Sequence, residues 1–173
     1  SSCVFSACLP PNVSLSEVGI SFAVPEGFVS AEVQDVATIA AYESNFPSVN
    51  STAEVATSST KVASIIIRRF AITASSTALG TIQQTAIGGA SGLPVSATAY
   101  SSSEFGTRRF SVVRIERFEG TVDTAYYLAR PTDVLRFDAV DTNVMNWTDK
   151  NLDTSKLPAH AALRKLLATL QEG

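Results

Sequence analysis

His160 is the only histidine in the 173 residues, and its imidazole is the side chain best suited to acid–base work near neutral pH. Nucleophilic catalysis needs a nucleophile held beside such a base. No G-x-S-x-G elbow occurs anywhere in the chain. His160 falls in the first turn of the last helical segment and reads as a surface or capping residue, so no catalytic residue is assigned. Cys3, Cys8 and one histidine do not compose a common structural zinc set. Asp133, Asp138 and Asp141, with Asp149 and Asp153 further on, lack the spacing of a calcium loop and read as turn and cap residues. Gly88-Gly89-Ala90-Ser91-Gly92 follows a helical segment instead of opening one. Its backbone N–H groups therefore do not converge with a helix N-terminus on a phosphate, and it reads as a connection. No carboxylate pair stands out for glycoside chemistry. Neither a metal nor a cofactor is expected.

Two charge patterns are left. Arg68-Arg69-Phe70 closes one strand segment and Arg108-Arg109-Phe110 opens another. If those strands are antiparallel neighbours, Arg68, Arg69, Arg108 and Arg109 gather at one rim as an anion or partner-binding site; the plainer reading is solvated strand ends. Arg114, Glu116, Arg136 and Asp138 fall on one presumed outer face, where cross-strand ion pairing accounts for them. Trp147, in Asn146-Trp147-Thr148, reads as a plug at the end of the core.

The elements that must position these residues follow from periodicity. Residues 1–17 read as an irregular leader, with Pro10-Pro11 against helix. Residues 18–173 read as one α+β domain. Ile20, Phe22 and Val24 alternate with small residues as a strand, and Pro25-Glu26-Gly27 turns it. Residues 31–43 fit a helix or a strand. Residues 45–60 read as loop, with capping-box spacing at Ser51 and Glu54. Residues 61–70 are rich in β-branched side chains and predict a buried strand. Residues 75–87 predict a helix with Leu79, Ile82 and Ala86 on one face and a stop at Gly88-Gly89. Strands are predicted at 94–100, 109–118, 121–130 and 134–140, the last three joined by turns too short for anything but antiparallel neighbours. A final helix has Thr154 or Ser155 as cap, Pro158 in its first turn, and Leu163, Leu166, Leu167 and Leu170 as an apolar stripe. That stripe must cover the apolar face of the sheet.

Composition places limits on partners. The net charge is −3, so there is no basic excess to neutralise phosphates and nucleic acid is not an expected partner. No apolar run approaches the ~20 residues of a membrane-spanning helix. Charged residues make up 17% against the usual ~25%, with Ala, Ser and Thr in their place, a pattern common in exported bacterial proteins. Cys3 and Cys8 pair as a small disulfide loop, or one of them carries a lipid, or both are free thiols in a frayed terminus. The first two readings place the protein in the periplasm or at the cell surface, with any lipid anchor upstream or at Cys3 or Cys8.

Ile20-Ser21-Phe22-Ala23-Val24-Pro25-Glu26-Gly27-Phe28 resembles the opening strand and Pro-x-Gly-aromatic turn of the PsbP-like family. The order strand, helix with a Gly-rich end, antiparallel strands and closing amphipathic helix is similar over about residues 18–171. Phe28 stands where Trp is commoner. The resemblance implies an α/β/α sandwich and an exported, non-enzymatic accessory domain that docks on protein partners, as a cell-envelope lipoprotein does. The alternative is a small-ligand carrier with a pocket between sheet and helices.

Overall fold

A computed structural model describes residues 12–33, 35–44, 63–89 and 91–172. Cys3, Cys8 and the Ser51/Glu54 capping box lie outside the described residues.

Seven strands make the main sheet in the order β3-β4-β5-β9-β8-β7-β6, every neighbouring pair antiparallel. They are β3 (Phe28–Ser30), β4 (Thr38–Ser44), β5 (Ala63–Ala71), β6 (Ser101–Phe105), β7 (Arg108–Phe118), β8 (Thr121–Ala129) and β9 (Asp133–Asp141). A second sheet, β1-β2-β10, joins β1 (Asn12–Leu15), β2 (Ile20–Ala23) and β10 (Gln171–Glu172). Helix α2 (Pro158–Thr169) lies on one face of the main sheet and α1 (Ala78–Thr85) on the other, which gives the expected α/β/α sandwich.

The period-2 pattern of β9 decides this layering. Leu135, Phe137 and Ala139 point toward α2, where Leu163, Leu166, Leu167 and Leu170 are all buried. Phe22, Tyr42, Ile65, Ile67 and Phe110 complete that larger core. Val134 points the other way, with Ile82, Ala86, Val113, Ala125 and Tyr127, into a smaller core under α1.

Several elements depart from expectation. Asn12–Leu15, inside the presumed irregular leader, is a strand: Val13 and Leu15 alternate with polar neighbours, pack on the larger core, and pair with β2. Residues 31–43 resolve as strand from Thr38 onward. The predicted strand at 94–100 is a single bridge between Ile87 and Pro94, then a 3-10 turn at Ala97–Ala99 whose Ser96 side chain accepts from the Thr98 amide. This local bond competes with strand pairing, which starts only at Ser101. Helix α1 is shorter than predicted because Thr77 caps it, and Leu79 is exposed, not on the buried face. The last helix is not capped by Thr154 or Ser155. Those two residues form a separate 3-10 turn (Thr154–Lys156) capped by Asp153, with Pro158 at the start of α2 as expected.

Candidate functional site

The missing cap of α2 leads to the first polar constellation. Asp141 ends β9, and its carboxylate accepts from the amides of Ala159 (2.9 Å) and His160 (3.2 Å). It thereby caps the helix from the sheet. The same carboxylate lies 2.6 Å from His160 Nδ1. A carboxylate only accepts, so Nδ1 carries a proton and donates to Asp141, and Nε2 is hydrogen-bonded to the Thr124 hydroxyl at 2.8 Å. His160 is thus not a surface residue: it is 1% exposed, with Asp141 at 3% and Thr124 at 6%. Carboxylate, imidazole and hydroxyl stand in the order of an acid–base–nucleophile relay. The hydroxyl is turned into the core, however, and a substrate does not reach it in this arrangement. A recess of about 110 Å³ next to α2 is lined by Asp141, Val144, Leu157 and Pro158, and so meets the carboxylate end, not Thr124. The relay fastens α2 to β8 and β9. Nothing local in the sequence joins Asp141 to His160, nineteen positions away, and the caps the sequence offers, Thr154 and Ser155, conceal the link.

The second constellation lies on the face that α1 covers. Arg136 meets Asp138 with both arms, Nε to Oδ1 at 2.6 Å and Nη2 to Oδ2 at 2.8 Å. Its Nη1 donates to the Thr85 carbonyl (2.8 Å) and to Tyr127 Oη (3.1 Å), tying the end of α1 to the sheet. Arg68 Nη1 donates to the same Asp138 at 3.1 Å, and Arg68 Nε lies 3.8 Å from Asp35. Asp123 is the diagonal neighbour of Asp138 on this face, and its Oδ1 is out of reach of solvent and has no hydrogen-bond partner. Burial pushes the Asp123 carboxyl well above the usual carboxylate range, and the charge of Asp138 adds to this. The presumed outer face therefore holds an ion network whose centre, Arg136 and Asp138, is buried. Arg114 is not part of it. It alternates with Phe110 and Val112 on the α2 side, paired with Thr124, and the bulge that follows puts Glu116 on the α1 face opposite Asp123.

Arg68 opens the network to solvent. It forms the floor of a cleft of about 240 Å³, together with Ala41, Ser64 and Ile66. Glu32 and Asp35, from the β3–β4 connection, and Glu43 on β4 stand around it. Asp35 accepts from the Thr38 amide and hydroxyl at 2.9 and 2.8 Å, and that bonding, helped by Arg68, holds its carboxyl below the ordinary range. Val29 and Val33 are exposed and Val36 fully so, all three on β3 and the connection after it. This cleft is open and lies on the outside of β4 and β5, not between sheet and helix.

The four arginines singled out in the sequence do not form one rim. β9 and β8 separate β5 from β7. Arg68 faces the α1 side, while Arg69 pairs with Asp133 (2.7 Å), itself doubly bonded by Arg130. Arg108 holds Glu172 and the Leu170 carbonyl, and Arg109 donates to Ser102 Oγ. Only Arg68 lines the cleft.

The glycine-rich connection packs its backbone against β7. A Cβ at Gly89 would stand 2.5 Å from a Glu116 carboxylate oxygen, a close neighbour that a phosphate would not tolerate. Trp147 enters neither core; its ring packs edge-on against exposed Phe118 at 5.9 Å, and its carbonyl accepts from Arg117. Among the described residues, no group of three or more His, Cys, Asp and Glu side chains is placed to hold a metal ion, and no helix is long and apolar enough to cross a membrane.

No protein-family profile matches the chain, and no curated protein does either. Solved structures do. Cyanobacterial PsbP (CyanoP) from Synechocystis sp. PCC 6803 superposes over 100% of this chain and 98% of its own, with a TM-score of 0.52 and 11% identity. The fold is PsbP-like. A Bacteroides thetaiotaomicron protein matches 95% of the chain at a TM-score of 0.53 and 9% identity. The chain spans about half the length of that protein, 49%. At these identities a PsbP-like fold is what the likeness shows; the opening strand and the closing leucine helix that suggested it are β2 and α2.

Proposed function

We propose that this PsbP-like chain is an exported, non-enzymatic accessory domain that docks a protein partner over the cleft on β4 and β5. The observation that carries the reading is the pairing of that cleft with the exposed valines 29, 33 and 36 on one edge of the sheet. Apolar side chains grouped beside a recess are the usual mark of a contact surface. The charge around the recess names the partner's chemistry. Glu32, Asp35 and Glu43 outnumber Arg68, whose own charge already meets Asp138 beneath. A partner segment carrying a lysine or arginine between apolar residues fits, its aliphatic stem on Ala41 and Ile66 and its charged end among the carboxylates. Export rests on the low charge content and on Cys3 and Cys8, as a disulfide or as a lipid attachment point. The sealed Asp141–His160–Thr124 chain supports a role without catalysis.

A photo-crosslinking residue at Val36, used in the native envelope, tests this. A crosslinked product is expected from Val36, lost when Glu32→Lys and Glu43→Lys are combined and weakened by salt. A product untouched by that charge reversal, or obtained equally from Met145 at the opposite end of the sheet, overturns the docking site. Recovery of the mature protein from the cytosol, with both thiols free, overturns export.

A further inference from the structure

The main sheet has two open edges, and they are not alike. At one, β3 is only three residues long, and so short an edge discourages pairing with another chain. At the other, β6 runs for five residues, Ser101-Ser102-Ser103-Glu104-Phe105, with no proline, lysine or bulge to blunt it. The two-residue turn Gly106-Thr107 joins β6 to β7, with φ of 63° at the glycine, so Phe105 and Arg108 form a hydrogen-bonded pair. Such pairs alternate along an antiparallel ladder. Ser103 and Ser101 therefore bond inward to β7, while the amides and carbonyls of Ser102 and Glu104 point outward. No strand among the described residues meets them. The charges on this edge are offset. Glu104 is the register partner of Arg109, yet the Arg109 guanidinium passes it and donates to Ser102 Oγ at 3.2 Å. Ser102, Glu104 and Arg109 are all exposed, and among the described residues neither Glu104 nor Arg109 enters an ion pair.

We propose that β6 pairs antiparallel with β6 of a second copy of this chain, about a two-fold axis at Ser103. In that register Ser102 lies opposite Glu104 of the second copy, and Glu104 lies opposite its Ser102. Both residues present their amide and carbonyl outward, so the two pairs exchange four backbone hydrogen bonds. The incoming Glu104 carboxylate arrives opposite Ser102, on the face where the Arg109 guanidinium ends. The offset that leaves both charges unpaired within one chain thus pairs them twice across the axis. A two-fold at Glu104 would instead set like charges face to face. On the other face Ser103 meets Ser103 and Ser101 meets Phe105, so no bulk forces the strands apart. Five residues a side make a contact below the size of a permanent interface, so the dimer is weak and forms at high concentration. β6 and β3 are opposite edges of the sheet, and this pairing does not depend on the docking reading.

Sedimentation velocity of the wild-type chain is expected to show a sedimentation coefficient that rises with concentration. Glu104→Arg alone and Arg109→Glu alone each put like charges across the axis, and each should lose that rise while keeping the wild-type circular dichroism. Mixing the two variants rebuilds both ion pairs in a mixed dimer and should restore the rise. The register is read by cysteines, in a chain carrying Cys3→Ser and Cys8→Ser. Ser103→Cys stands opposite its own copy at a separation that a disulfide spans, and mild oxidation should link it well before Ser102→Cys, which faces Glu104. A wild-type chain that stays monomeric, as it would if the edge took a strand of a different protein, overturns the proposal. So does a mixture no more associated than its two components, or a Ser102→Cys chain that links as fast as Ser103→Cys.

Discussion

Asp141 serves one helix and one imidazole at once, and both depend on a single carboxylate. Asp141→Ala removes the cap of α2 and leaves His160 without its acceptor in the core. A loss of about 2–4 kcal/mol is expected, measured by urea unfolding, from one cap and one orphaned buried donor. Asp123 acts in the opposite sense. Its carboxyl is raised in the folded state, by burial first and then by Asp138, whereas in the unfolded chain it ionises near 3.8. Between those two limits the folded protein holds a proton that the unfolded one has released. Its contribution to stability is complete below the unfolded value and falls as pH rises toward the folded one. Asp123→Asn should flatten this decline and raise the melting temperature at pH 8 relative to wild type, with little change at pH 4. A melting temperature that drops at both pH values would mean that Asp123 is needed as a carboxylate. Asp133 runs the other way: its hydrogen bonds to Arg130 lower its carboxyl, so the stability it gives is lost as pH falls.

Hairpin β7–β8 turns on two residues, Glu119 and Gly120, both with positive φ (49° and 84°). This is the combination of a two-residue turn whose twist suits the flanking strands, and it asks for Asn-Gly. A glutamate in the left-handed region is strained. Glu119→Asn should stabilise the protein by about 0.5–1 kcal/mol, read as an upward shift of the urea midpoint with an unchanged slope. Element by element, the meander was the most legible part of the sequence. Its strands run over nine to eleven residues each, and its turns are short, so few alternatives exist. Residues 94–100 misled because Ser, Thr and Ala carry little apolar signal, and a side-chain bond at Ser96 decided the backbone. Residues 12–15 misled because a four-residue strand gives almost no period to read.

The two layers of the whole molecule are unequal. The core under α2 gathers most of the buried apolar side chains, while that under α1 is small and shares its space with Arg136 and Asp138. Opening of α1 therefore exposes less apolar surface than opening of α2. In hydrogen exchange, the amides of α1 should exchange well before those of α2 and β9. Removing Asp138, which holds Arg136 and Arg68 together, should destabilise by about 3–5 kcal/mol, because a buried arginine is left unpaired. Urea unfolding of Asp138→Ala measures this, and a loss under 1 kcal/mol would mean that water replaces the carboxylate.

Sequence by itself determined the layers. The leucine stripe of α2, the β-branched run of β5 and the alternating residues of β7, β8 and β9 each specify a face, and faces of one kind must meet. Tertiary structure alone decided what the polar residues do. A charged side chain carries no periodic signal that separates an exposed pair from a buried one. The order of strands put β9 between β5 and β8, so Arg68 met Asp138 instead of Arg108 and Arg109. It also carried Asp141 to the start of α2, making a staple of the lone histidine. Contacts across seventy residues follow from register and packing, and neither is written in the neighbours of any one residue.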